Sequence, residues 1–183
     1  IDLVIHAAAI KRIDIAEYNP YETVATNVMG TWQVLQAAMD AAVAQVVTIS
    51  SDKAVKPETL YGSSKQVAER LTVQANHYTG DGPRYCVIRY GNVAGSEGSV
   101  IPLWQHCVTT GHPLPLTSST MARFWISMDD AVRFICFVAA QQSRGGLFIP
   151  HLPVFAVTDL ARALLGKAAD EPLCEGTDVV TIG

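Results

Sequence analysis

The sequence predicts an α/β protein whose central sheet is parallel and covered by helices. Three observations carry this. Strand-like runs alternate with helix-period segments in the order β-α-β-α-β over residues 2–90. The strand runs are apolar throughout, as in strands buried on both faces, and do not alternate with polar residues. Turn-forming residues stand at each change of period: Asn19-Pro20, the polar stretch 51–59 with Pro57, and "GDGP" at 80–83.

The first run, "DLVI" at 2–5, ends in "HAAA", where small side chains allow close approach of a backbone or ligand. Behind Asn19-Pro20, Val24, Val28, Leu35 and Ala38 recur at helical spacing and predict a helix over 21–42. "QVVTIS" (45–50) reads as a short buried strand. "LYGSSKQVAERLTVQANHY" (60–78) returns to helical period through Ala68, Leu71, Ala75 and Tyr78. "RYCVIRY" (84–90) is the next strand, rich in β-branched and aromatic residues. Right-handed crossovers place the loops that begin at His6, Ser50 and Arg89 on one edge, at the strands' carboxyl ends, where such sheets bind ligands. After Gly91, Gly and Pro become frequent and the elements shorten. "ARFWIS" (122–127) and "GGLFIP" (145–150) read as isolated strands. "SMDDAVRFICFVAA" (127–140) reads as a helix begun by Ser127 or Asp129 and ended by "SRGG". This half is expected to be a smaller cap over the ligand edge.

Composition narrows the function. The chain has 183 residues, 49% hydrophobic and 16% charged, which suits one ordinary domain with a real core and excludes disorder. Thirteen basic against 17 acidic residues give a net charge of −4, so there is no general attraction for nucleic acid. An anionic ligand must be met by a few placed cations. Cys86, Cys107, Cys136 and Cys174 lack metal-ligand spacing and read as reduced thiols of a cytoplasmic protein. No apolar run reaches the roughly 20 residues of a membrane span, and no charged leader precedes a signal-like core, so a soluble protein is expected. The chain opens without Met on "IDLVIH", which reads as a strand already inside a fold, and a fragment or shortened relative of something longer is expected.

The chemistry concentrates in "ISSDKAVKPETLYGSSK" (49–65). Tyr61 and Lys65 are four apart at a helix start and share a face. A lysine ammonium there lowers the pKa of a phenol and makes it a usable base for a secondary alcohol losing hydride. Ser50 and Ser51 close the preceding strand, where a hydroxyl can bond the same alcohol.

With those residues in place, "SSDKAVKPETLYGSSK" resembles the extended short-chain dehydrogenase/reductases, and within them the UDP-N-acetylglucosamine 4,6-dehydratases of polysaccharide biosynthesis and flagellin glycosylation. The likeness continues in "HAAAIKRIDIAEYNPYETVATNVMGT", "RYGNVAGSEGSV" and "MARFWIS", and less strictly in "GGLFIPHLPVFAVTDLARAL". It implies a partial Rossmann-like, doubly wound parallel sheet lacking its N-terminal β-α-β. Residues 1–95 would be a truncated dinucleotide-binding core, and 96–183 a mixed α/β substrate-binding region packed on it as one unit. It implies catalytic roles for Ser51, Asp52, Lys53, Tyr61 and Lys65. Asp52 and Lys53 separate a dehydratase from an epimerase, in which the matching positions are small: Lys53, if desolvated to a neutral amine, removes the C5 proton, and Asp52, if held protonated, protonates the departing C6 hydroxyl. Tyr61, where large membrane-anchored relatives resemble "MGASK", implies the soluble, C5-inverting type. His6, Ala7, Ala8, Ala9, Asn27, Ser50, Tyr61 and Lys65 would contact the cofactor, NADP or alternatively NAD. Lys11, Asn92, Ser99, Val100 and Arg123 would contact a UDP-sugar, with Arg123 gripping the diphosphate by a two-point fork. A homo-oligomer, with neither nucleic acid nor membrane as partner, is implied.

Three departures accompany the resemblance. The glycine-rich turn that cradles a pyrophosphate is absent from the sequence, with the first helix and the residue that chooses NAD or NADP. Glu97 stands in "GSEGSV" where relatives carry arginine, and its charge opposes a diphosphate. "CEGTDVVTIG" does not match the family's "RPGEKLHE"-like end. The function expected is therefore a nucleotide-sugar 4,6-dehydratase core. The alternatives are a truncated non-catalytic paralogue acting as an assembly or binding module, and a UDP-sugar 4-epimerase, which the Asp52-Lys53 pair disfavours.

Overall fold

The computed structural model describes residues 1–80, 82–96, 98–141 and 145–182. In chain order its elements are β1 (Leu3–His6), α1 (Ile13–Tyr18), α2 (Pro20–Val24), a π-helical turn (Ala25–Met29), α3 (Gly30–Asp40), β2 (Gln45–Ser51), a 3₁₀ turn (Asp52–Ala54), α4 (Leu60–Ala75), β3 (Arg84–Tyr90), β4 (Asn92–Val93), α5 (Val100–Thr110), β5 (Leu114–Leu116), β6 (Ala122–Ile126), α6 (Met128–Gln141), β7 (Leu147–Phe148), β8 (Val154–Ala156), α7 (Val157–Leu165) and β9 (Val179–Thr181).

The chain divides into two compact units, Ile1–Tyr90 with Asp129–Pro150, and Gly91–Met128 with His151–Gly183. This differs from a single cut at residue 95. The segment 129–150 returns to the first unit because β7, expected as an isolated strand, pairs parallel to β3 (Val87 with Leu147, Ile88 with Phe148) and α6 packs on the same sheet.

In the first unit the sheet runs β1-β2-β3-β7 and is parallel throughout. Every residue of β2 is buried, as its unbroken apolar run requires. Its two faces are covered by different helices. Val46 packs with Leu35 and Ala38 of α3 and Ala75 of α4, and Thr48 accepts a hydrogen bond from Thr72 of α4 at 3.0 Å. Val47 and Ile49 pack instead with Val138 of α6, backed by Phe134 and Phe148. This alternation of period 2 is what makes the sheet doubly wound.

The helix predicted over 21–42 is present but broken by the π turn. Ala42 follows α3 in the left-handed region (φ 49°), and its neighbour Val43 donates back to the Ala38 carbonyl at 2.9 Å, closing the helix. Helix α1 was not legible, because "IDIAEY" is too short to establish a period. It nevertheless matters, since Glu17 accepts the Leu60 N–H at 2.7 Å and so caps α4, assisted by Thr59, whose hydroxyl accepts from Gly62 N–H at 3.1 Å.

The second unit holds two small sheets, β4-β6-β8 and β5-β9. Its core of Trp104, Leu114, Leu116, Val157, Ala161 and Val179 lies between α5, α7 and the β5-β9 pair. Gly91 leads into β4, and a side chain there would collide with the Phe124 carbonyl and lie 2.6 Å from its Cβ. Only glycine permits that approach. The isolated strand expected at 122–127 is β6, paired with β4 and β8.

Candidate active site

The carboxyl ends of β1, β2 and β3 fall at His6, Ser51 and Tyr90, and the chain turns at Ser51 into the 3₁₀ turn. Ser51 is the pivot of the site. Its hydroxyl donates to Asp52 Oδ1 at 2.9 Å and accepts from Lys53 N–H at 3.3 Å, and it lies beside the Tyr61 phenol, close enough to act on its pKa. Lys53 Nζ sits 3.2 Å from the same Asp52 oxygen, and both side chains are about three-quarters covered. Gly62 makes this meeting possible: a Cβ there would collide with the Lys53 carbonyl oxygen and lie 3.0 Å from Pro57 Cβ. The first turn of α4 thus rests directly on the backbone that carries Asp52 and Lys53.

Tyr61 is buried. That burial pushes its phenol above the ordinary value; the Ser51 hydrogen bond opposes the rise, while Asp52 and Tyr90 add to it. This corrects the expectation of a phenol acidified by Lys65. The Lys65 ammonium donates to the Ile49 carbonyl at 2.6 Å, so its charge is held against backbone, and desolvation of Tyr61 prevails. Lys65 itself is only 4% exposed. Burial lowers its pKa to about 8, against the opposing charge of Glu69.

Ser50 is not brought to this group. Adjacent strand residues point to opposite faces, and the Ser50 hydroxyl donates to Glu69 Oε1 at 2.6 Å. On β1, the Thr31 hydroxyl donates to the Asn27 carbonyl at 2.7 Å, so His6 Nε2, 2.9 Å from Thr31 Oγ1, is the donor in that pair. Burial, and then the Lys65 charge, push the His6 imidazole below its ordinary value. Ala7 and Ala8 are exposed, Ala9 half-buried and Lys11 exposed.

Asn27 lies in the π turn, a device that re-aims a side chain within a helix. Its amide donates to the Ile10 carbonyl (3.0 Å) and to Ser64 Oγ (3.0 Å), while its oxygen accepts from Ile10 N–H (2.8 Å). The amide group is thus spent on fixing the loop after β1 to α4.

Four of the expected ligand residues belong to the second unit. Asn92 Oδ1 and Ser99 Oγ are buried without a hydrogen-bond partner. Ser99 precedes α5, whose first residue is Val100, and does not cap it with its side chain. Arg123 Nη1 donates to the Ala122 carbonyl at 2.9 Å. Sequence reasoning passed over Trp125, whose indole N–H is also buried and unpartnered. Trp125 pairs in register with Asn92 and shares a strand face with Arg123, a placement that the spacing of two within "ARFWIS" carried. Glu97 lies outside the described residues, as do Ser143 and Arg144 of the expected helix stop.

A doubly covered parallel sheet with a Tyr-x-x-x-Lys helix at its carboxyl edge defines the short-chain dehydrogenase/reductase class. Three comparisons bear on this chain. It is 43% identical over 166 residues to the UDP-N-acetylglucosamine 4,6-dehydratase (inverting) of Campylobacter jejuni, covering 90% of this chain and 50% of that protein. It is 38% identical over 165 residues to the UDP-glucose 4-epimerase of Rickettsia typhi, covering 90% of this chain and 48% of that one. Among solved structures it is similar to DesIV, a dTDP-glucose 4,6-dehydratase from Streptomyces venezuelae with NAD and TYD bound, at 25% identity and a TM-score of 0.83, covering 91% of this chain and 57% of that one. The chain belongs to the polysaccharide biosynthesis protein family, which matches residues 1–183. It spans about half the length of these curated relatives. Among the described residues, no helix is long and apolar enough to cross a membrane, and no group of His, Cys, Asp and Glu side chains could hold a metal ion.

Proposed function

We propose that this chain carries the catalytic core of a nucleotide-sugar 4,6-dehydratase acting on UDP-N-acetylglucosamine. The observation that supports it most directly is the grouping around Ser51: its hydroxyl donates to the Asp52 carboxylate, Lys53 sits on that same carboxylate, and both Ser51 and Asp52 act on the Tyr61 phenol. An epimerase has no use for an acid and an amine beside the phenol, whereas expelling water needs both.

The residues at the sheet edge fit the nicotinamide half of a dinucleotide. Ala7 and Ala8 leave exposed space at the end of β1, and the Lys65 ammonium has three N–H groups, of which Ile49 takes one. The cofactor in this reading is NADP, with NAD as the alternative; when bound it supplies uptake and return of one hydride. Tyr61 accepts the proton of the C4 hydroxyl as the phenolate, which forms by release of its own proton to solvent before that step, with Ser51 holding the C4 oxygen. Moving one proton from the Lys53 ammonium to the Asp52 carboxylate turns their ion pair into an amine and an acid. Lys53 then removes the C5 proton, made acidic by the C4 ketone, and Asp52 protonates the C6 hydroxyl as it leaves. In the second unit, Asn92, Ser99, Val100 and Arg123 are the residues proposed for the UDP-sugar, the buried unpartnered atoms of Asn92 and Ser99 being suited to polar ligand groups.

The test is mass spectrometry of the protein with UDP-N-acetylglucosamine and NADP, in which a product lighter by one water is expected. An isomer of the substrate would indicate an epimerase, and no product from well-folded complete protein would favour the non-catalytic reading. In the complete protein, Lys53→Ala should still reduce bound cofactor on adding substrate yet release no dehydrated sugar. Normal dehydration by that variant would remove Lys53 as the base.

A further inference from the structure

Beyond the Tyr61-Lys65 turn, α4 presents a third side chain on the same face, Glu69, one further turn along. It is 6% exposed, deep for a carboxylate. Its two oxygens are fully engaged: Oε1 accepts from Ser50 Oγ at 2.6 Å and from Arg89 Nε at 2.9 Å, and Oε2 accepts from Arg89 Nη2 at 2.5 Å. Ser50 and Arg89 are register partners on β2 and β3. One carboxylate therefore ties α4 to two neighbouring strands, one residue short of the carboxyl ends at Ser51 and Tyr90. The same strand segment supplies the Ile49 carbonyl that receives Lys65.

We propose that Glu69 is a positioning residue for the Tyr61-Lys65 pair: by clamping α4 to β2 and β3 through Ser50 and Arg89, it seats the Lys65 ammonium on the Ile49 carbonyl and provides that buried cation with its anionic neighbour. The groups around Lys65 support this. His6 faces it from β1 and, when charged, repels it. Tyr61 precedes it on α4. Arg89 on β3 is cationic and paired to Glu69. Asp52, the other carboxylate nearby, is paired with Lys53. Among the described residues, Glu69 is the acid whose charge acts on Lys65, and it opposes the effect of burial. The clamp holds whatever reaction the site runs; its catalytic meaning rests on the dehydratase reading.

The experiment reads Lys65 directly and needs no turnover. The sequence holds five lysines, Lys11, Lys53, Lys56, Lys65 and Lys167, few enough for each side-chain resonance of ¹³C-lysine-labelled protein to be assigned by substitution and followed through pH. In wild type, Lys65 should titrate near 8. In Glu69→Gln, which keeps the shape and one accepting oxygen but loses the charge and the second acceptor, the midpoint should fall by about one pH unit or more. Arg89→Gln should move it the other way, upward, because Glu69 loses its competing cation; this variant carries the test should Glu69→Gln not fold. An unmoved Lys65 midpoint in folded Glu69→Gln, or a downward shift in Arg89→Gln, overturns the proposal. A merely structural clamp does not produce shifts of opposite sign. If Lys65 responds as expected but no dehydrated sugar forms, the functional reading fails and this one stands; if sugar is dehydrated while Lys65 ignores Glu69, the reverse holds.

Discussion

Gly62→Ala sets two magnitudes of opposite sign against each other. Within a helix, alanine is favoured over glycine by about 1 kcal/mol, so propensity alone predicts a gain. Against it stands the position itself: the added Cβ would collide with the Lys53 carbonyl oxygen, lie 3.0 Å from Pro57 Cβ and lie 3.2 Å from the Lys53 carbonyl carbon. Two of these obstacles are backbone and the third is a proline ring, so none yields by rotating a flexible side chain. Forcing a methyl into such a site typically costs about 1–3 kcal/mol. The net expectation is a loss of about 1 kcal/mol, read as a lower midpoint of urea unfolding. What the clash cannot compress it displaces. The segment behind Lys53 would shift from α4, carrying Asp52 and Lys53 away from Tyr61, and activity in the complete protein should fall by more than the stability loss explains. A Gly62→Ala variant as stable as wild type or more so would show that the 53–57 segment yields freely, and that glycine here is not what joins the two halves of the site.

Ala42→Gly should stabilise the protein by about 1 kcal/mol in the same assay, since Ala42 is exposed and holds a left-handed conformation that glycine adopts without strain. Asn27→Leu should cost about 2–4 kcal/mol, because it strips partners from both backbone groups of Ile10 and from Ser64 in a buried site; a loss under about 1 kcal/mol would contradict that accounting. With a chromogenic disulfide, the exposed Cys136 and Cys174 should react fast in native protein and Cys86 only on unfolding, since Cys86 is buried and burial raises its thiol pKa; rapid native labelling of Cys86 would refute this. His6 binds protons less readily folded than unfolded, so the unfolded state holds more protons below about 6.5 and stability falls as pH drops through that window. His6→Gln should flatten this loss between about pH 7 and pH 5 by urea unfolding, and an equal slope in both proteins would count against it.

How much could be read in advance varied with the range of the interaction. The apolar runs at 45–50 and 84–90 predicted buried parallel strands, because burial on both faces leaves no room for alternation. The Tyr61-Lys65 pair was legible from the helical repeat alone. Helices α5 and α7 were passed over. The π turn at Ala25–Met29 was equally hidden, because a bulge depends on what the re-aimed Asn27 meets 17 and 37 residues away. That the Ser50 hydroxyl is spent on Glu69 was also hidden, because residue type says nothing about which partner a strand face brings.

The sequence by itself determined the layered parallel class, the family, and the presence of an acid, an amine, a phenol and a second lysine within fourteen positions, since periodicity and spacing are local properties of the chain. Only the tertiary structure decided that Ser51 joins Asp52 to Tyr61, that Lys65 is held by a strand carbonyl and not by the phenol, and that 129–150 completes the first unit. Those outcomes depend on desolvation and on partners brought in from distant parts of the chain, and a side chain's charge and hydrogen bonds are set by what surrounds it after folding.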